Sequence, residues 1–340
     1  MTLSRTAVPA GIGARLFVAL SVLLVVLSLS LALGLFVGTQ RIQPSALLSD
    51  DFARALFFRL RLPRVVMALL IGASLALCGA ALQALFRNPL AEPYTLGVSG
   101  GGALGASVAI ALGWGARIAG TPIVFLAAFG GAVIAVWLVR AMARAGAIAL
   151  PGSLLLAGIV VNLLCSAAVL IIQYVVSQNS ALQILRWIVG SLDVVGFGTV
   201  TQMTVVLVPA WIALLAFSRQ LHLIAMDEES AAALGVNVRF CETAVHLICS
   251  LIVGVTVATG GAIGFVGLIV PHAVRLMFGE DLRIVMPGSL VLGAAFLVVA
   301  DALARTALSS GELPVGAITG VLGAPAFLWL LRRRQRYSTM

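Results

Sequence analysis

Long apolar stretches, divided by short connections that carry arginine, constrain this chain more than any other feature. They lie at residues 16–40, 65–86, 94–114, 118–139, 153–176, 199–218, 243–260, 262–278, 284–300 and 314–331. A hydrocarbon layer about 30 Å thick is crossed by roughly 20 apolar residues in a helix. Within that layer each backbone N–H and C=O must find its partner inside the protein, which a helix achieves unaided. The stretches therefore predict an all-α membrane protein of ten transmembrane helices, a single polytopic domain over 1–340. Only 10% of residues are charged and 61% are hydrophobic, against ~25% charged in soluble domains.

Arginine sets the expected orientation. With both termini in the cytoplasm, the inner connections collect Arg140, Arg144, Arg219, Arg239, Arg283 and the terminal Arg332, Arg333, Arg334 and Arg336, as the positive-inside rule requires. The net charge of +9 is thus distributed between spans, which argues for membrane orientation and against a nucleic-acid surface. The first stretch is too long for a signal-peptide core and reads as a retained helix.

Two absences narrow the function. No lysine occurs anywhere in the chain, and a P-loop needs its lysine on the nucleotide phosphates. The chain cannot be a P-loop ATPase, so ATP hydrolysis that drives it must belong to another polypeptide. Nor do the first eight spans hold an aspartate or glutamate, the usual proton and ion relays of gradient-driven carriers. His246, His272 and Arg275 are the clearest polar candidates within the spans, while Gln83, Asn162 and Gln173 can bridge helices. Cys78, Cys165, Cys241 and Cys249 lack metal or redox spacing and read as small packing residues.

Several segments depart from the apolar pattern. Residues 41–64 form an external segment with five arginines, Arg41, Arg54, Arg59, Arg61 and Arg64, an excess on the wrong side. Residues 181–196 are apolar but interrupted by Arg186 and Asp193, suiting a short re-entrant or surface helix. Gly97, Gly101 and Gly105, Gly260 and Gly264, and Gly316 and Gly320 recur at four-residue spacing, which lets helices approach closely. In the connection 219–239, Asp227, Glu228 and Glu229 open a run of alanines that ends at Gly235. Asp227 is placed to cap a short helix, the acids suit its positive end, and Gly235 suits its left-handed stop. A helix of about two turns is marginal alone, so this one reads either as a solvated turn or as a knob offered to a partner.

Together, several segments resemble the permease subunit of bacterial ABC importers for iron-siderophores, haem and cobalamin. They are RLPRVVMALLIGASLALCGAALQALFRNPLAEPYTLGVSGGGALGA (61–106), LLLAGIVVN (154–162), RWIVGSL (186–192), DEESAAALGV (227–236), GAIGFVGLIVPHAVR (261–275) and ADALAR with ELPVGAITGVLGAPAFLWLL (300–331). The resemblance implies ten helices per subunit, a permease dimer, two ATPase subunits on the cytoplasmic side and a soluble binding protein outside. ATP and Mg would sit on the ATPase, leaving no cofactor or metal in this chain. Asp227, Glu228, Glu229, Ser230, Ala231, Ala232, Leu234 and Gly235 would form the coupling helix. Arg61, Arg64 and Arg305 would meet glutamates on the binding protein, although Asp301 stands one helical turn from Arg305 and can pair with it. Asn88 and Leu90 would help close the cytoplasmic end. Pro151 and Gly152 occupy a second gate position that often carries hydroxyl residues in this family, which puts hydroxyl-based gating in doubt here. The expected function is import of a metal chelate, iron-siderophore foremost, through a bacterial inner membrane; a stand-alone secondary transporter is the alternative.

Overall fold

The computed structural model of the chain describes residues 12–38, 46–118, 121–145, 153–308 and 311–338. In chain order its helices begin with α1 (Ile12–Phe36), α2 (Ala46–Ser49) and α3 (Asp51–Leu56), then a π-helical turn (Phe57–Arg61) that leads into α4 (Leu62–Leu85). A 3-10 turn (Pro93–Leu96) precedes α5 (Val98–Ala111), followed by α6 (Ile123–Ala145), α7 (Ser153–Val175) and α8 (Gln178–Val189). Then come α9 (Gly198–Ala216), α10 (Ser218–Met226), α11 (Glu228–Ala233) and α12 (Val238–Gly260), and finally α13 (Val266–Phe278), α14 (Leu282–Thr306) and α15 (Val315–Ser338). A two-residue β-ribbon pairs Arg117–Ile118 with Thr121–Pro122.

Helix α4 is the central post. Of its best apolar window 89% is buried inside the protein, against 17% for α1. Around it stand α14, α13, α12 and α9. Its small residues allow this crowding: a Cβ on Gly72 would strike the Gly293 backbone of α14, and a Cβ on Gly293 would strike Gly72. Gly101 of α5 and Gly131 of α6 exclude each other's side chains in the same way. Without a hydrophobic drive between helices in lipid, such backbone approach supplies the packing. Gly105 meets α6 on the same face as Gly101, but Gly97 is the left-handed cap that precedes α5 and does not share that helix. Gly260 and Gly264, however, share no helix, because α12 ends at Gly260 and residues 261–264 are non-helical.

Among the described residues seven helices are long and apolar enough to cross a membrane, and three shorter apolar ones occupy Val98–Ala111, Val266–Phe278 and Val315–Phe327. Seven of the ten expected stretches thus hold a helix of spanning length, whereas α5 and α13 have only 14 and 13 residues. At 1.5 Å per residue each reaches about 20 Å, short of the ~30 Å core. Non-helical backbone takes up the rest, and at such depth it must be buried and paired. The Tyr94 hydroxyl accepts the Ile263 N–H at 2.7 Å and donates to the Ile263 carbonyl at 2.9 Å. Glu92 accepts the Phe265 N–H at 2.6 Å. Asn162 of α7 donates to the Tyr94 carbonyl at 2.8 Å and accepts the Gly100 N–H at 2.9 Å. The bridging role expected of Asn162 is this clamp between α7 and the turn before α5. Asn162→Ala should cost about 2 kcal/mol, the scale for stranding buried polar groups, read as a lower unfolding temperature in detergent.

The segment expected to be external is helical from Asp51 and continuous with α4. Its π turn has a local cause. Pro63 has no N–H to offer the Arg59 carbonyl, and that carbonyl accepts the Gly196 N–H at 2.7 Å instead. The loop after α8 is thereby tied to the entrance of α4. The α8 helix itself is the short helix expected near 181–196.

Candidate functional site

Two polar assemblies stand out at opposite ends of the bundle. The first surrounds the end of α1. The last carbonyls of a helix lack intrahelical partners, and their negative pole attracts cations. Arg305 donates to the Gly34 carbonyl at 2.8 Å and the Val37 carbonyl at 3.1 Å, and Arg61 donates to the Leu35 carbonyl at 3.3 Å. Asp301, fully buried, accepts from Arg305 at 2.9 Å and from Arg64 at 2.9 Å. Arg64 also reaches Glu312 at 2.6 Å and Asp193 at 3.7 Å. The three arginines anticipated as one site are therefore adjacent. Arg61 and Arg305 are buried and fasten α1 to α4 and α14, and the pairing of Arg305 with Asp301 is present.

The second assembly contains α10 and α11. Asp227 caps α11 by accepting the Ser230 N–H at 2.8 Å. Hydrogen bonds from Ser230 hold its carboxyl below the usual range, so the cap is complete above the ordinary carboxylate pKa and is lost as pH falls through the depressed one. At the other end Gly235 adopts φ +85°, with Gly235 N–H on the Ala232 carbonyl at 2.9 Å and Val236 N–H on the Ala231 carbonyl at 3.1 Å. This paired closure is a Schellman motif. Ala231 is buried against Ile224 and Cys241. Glu229, Ser230, Ala232, Leu234 and Gly235 face outward, beside exposed Met226 and Phe240. An open cleft of about 640 Å³ runs between Arg87, the three acids, Ala232 and Val236 to Arg239. The knob is thus a rigid convex corner with acids at one end and apolar side chains on its crest.

The turn after α4 adjoins this corner. Asn88 accepts the Leu90 N–H at 2.9 Å, and Leu90 is half exposed. Pro151 and Gly152 lie outside the described residues. Sequence reasoning missed Arg87, which donates to Glu228 at 2.9 Å and joins the turn to α11. It stands at φ +49°, with its N–H on the Ala84 carbonyl at 3.2 Å and Asn88 N–H on the Gln83 carbonyl at 3.1 Å. An arginine thus fills the left-handed stop where glycine is favoured, and the strain is accepted for a position facing Glu228. Arg87→Gly should leave stability within about 1 kcal/mol of wild type, since relief of left-handed strain offsets an exposed ion pair. The loss should show instead in ATP turnover coupled to transport. Glu92, which accepts the Phe265 N–H, was also overlooked. Neither residue's partner is near in sequence, so spacing carried no signal.

A bundle of apolar helices that offers a capped knob at one end, in a chain without the lysine of a nucleotide loop, fits a permease moved by another subunit. The chain belongs to the FecCD transport family, whose profile matches residues 22–333. It is similar to the vitamin B12 import system permease protein BtuC of Salmonella paratyphi A (strain ATCC 9150 / SARB42), 40% identical over 323 residues, 93% of this chain and 95% of the relative. It is also similar to the hemin transport system permease protein HmuU of Yersinia pestis, 38% identical over 296 residues, 85% of this chain and 87% of the relative. A metal-chelate type ABC transporter solved in an inward-facing conformation superposes with a TM-score of 0.82 at 29% identity, over 93% of this chain and 99% of that one. The protein is accordingly a permease component of an ABC importer, with the ATPase in a separate subunit.

Proposed function

We propose that two copies of this chain enclose a pathway for a large metal chelate across a bacterial inner membrane, with ten crossings per copy and both termini inside. Two ATPase subunits dock on the segment 219–239, and ATP binding and hydrolysis there rock the attached α9 and α12 between outward and inward states. A soluble binding protein delivers cargo to the opposite end, where Arg64, backed by the buried Arg61 and Arg305, offers the charge that orients its approach. Asn88 and Leu90 narrow the cytoplasmic exit. The relatives named above carry vitamin B12 and hemin, which favours a metal-bearing macrocycle; the iron-siderophore reading rests on the resemblance of the sequence alone.

The observation that carries this reading is the capped, outward-facing corner at α11 in a chain with no ATPase of its own. Proteoliposomes holding the chain, with and without its ATPase, can be offered cyanocobalamin, hemin and ferrichrome. Uptake of one of them that requires ATP and the ATPase is expected. Gradient-driven uptake by the isolated chain would overturn the reading in favour of a secondary transporter.

A further inference from the structure

The cluster at the end of α1 contains one contact that helix packing does not need. Asp301 occupies the inward edge of the Arg64 guanidinium at 2.9 Å. The other edge meets Glu312 at 2.6 Å and Asp193 at 3.7 Å. The exposures differ sharply: the Arg64 side chain is 14% exposed, Glu312 39% and Asp193 75%. Both outer acids sit on connections. Glu312 lies between α14 and α15, where Leu313 N–H holds the Ala304 carbonyl at 3.0 Å, and Asp193 lies in the loop pinned to Arg59 through Gly196. A guanidinium so far removed from water needs a carboxylate on its outer edge, and its planar fork accepts that carboxylate from whichever molecule supplies it.

We propose that Glu312, assisted by Asp193, is an internal stand-in for a partner's carboxylate: it fills the outer edge of Arg64 in the lone chain and yields that edge when an acidic protein surface docks. This rests on the reading that the Arg64 end receives a carboxylate-bearing soluble protein. Docking is then an exchange, in which one ion pair is broken for each one made. Exchange holds affinity down and favours release after delivery, because Glu312 waits beside the site to reclaim Arg64. It also selects for a partner glutamate or aspartate that can approach from the solvent side, since the inward edge is closed by Asp301.

The probe is acetyl-hexaglutamate amide, with acetyl-hexaglutamine amide as the uncharged control, titrated at low salt onto sealed vesicles that present the Arg64 end outward. Glu312→Gln should bind hexaglutamate about threefold more tightly, the scale of one exposed ion pair, and Glu312→Gln with Asp193→Asn more tightly still. Both variants leave Asp301 with its two arginines, so the fold is not at risk. Arg64→Lys keeps a cation for Asp301 but removes the fork, and it should weaken binding and abolish the gain from Glu312→Gln. Unchanged or weaker binding by both acid variants, with Arg64→Lys still weakening it, overturns the exchange and leaves the docking reading standing. Binding indifferent to Arg64→Lys overturns both.

Discussion

Asp301→Ala is expected to be among the most damaging single changes in this protein, costing about 3–5 kcal/mol, the range for removing one partner of a buried ion pair. Its carboxylate is fully buried and serves Arg64 and Arg305 together. Without it, Arg305 keeps only the neutral carbonyls of Gly34 and Val37, and no anion remains between it and Arg64. The expected result is a sharp fall in folded yield and in unfolding temperature after extraction into detergent. Asp301→Leu with Arg305→Met should recover part of the loss, because it deletes one cation as well as the anion and leaves Arg64 with Glu312. An unfolding temperature for Asp301→Ala equal to that of wild type would show that the cluster does not fasten α1 to the bundle.

Charge reversal at the opposite end should act on assembly and spare the fold. Replacing Asp227, Glu228 and Glu229 with lysine is expected to abolish co-purification with the ATPase, since like charges set against a complementary surface cost several kcal/mol. Part of that effect is local, because Asp227 caps α11 and the triple replacement removes that cap. Glu228→Lys with Glu229→Lys keeps the cap and isolates docking; its affinity for the ATPase should fall at least about tenfold. The permease itself should elute and unfold as wild type does, because Glu228 and Glu229 stand outside the apolar core. Undiminished co-purification would remove α11 from the coupling role.

The two ends were legible in the sequence to different degrees. Asp227 and Gly235 could be assigned from residue type and spacing, because capping is decided within a few residues. Asp301 and Arg305, one turn apart on α14, were legible for the same reason. The apolar stretches located the helices but overstated α5 and α13, since a count of apolar residues does not register where the backbone leaves the helix. The breaks lie at Gly97, Gly261 and Phe265, all with positive φ, and their polar groups are paired by Glu92, Tyr94 and Asn162 from distant segments. The Gly-Gly pair at 260–261 is a local hint of the break, whereas the spacing of Gly260 and Gly264 points instead to a packing face. Arg87 and Glu228 are 141 residues apart, beyond the reach of any short-range rule, as is the bond that Pro63 frees for Gly196.

The enclosure of α4 bears on how this protein meets different bilayers. The post at the centre is sheathed by neighbouring helices, so a surrounding bilayer would meet chiefly peripheral elements such as α1. Thickening or thinning the membrane should therefore strain the rim first and leave the middle at nearly constant height. A machine built this way can be expected to keep its internal geometry across host lipids of differing chain length, with the adjustment absorbed by tilt at its margin.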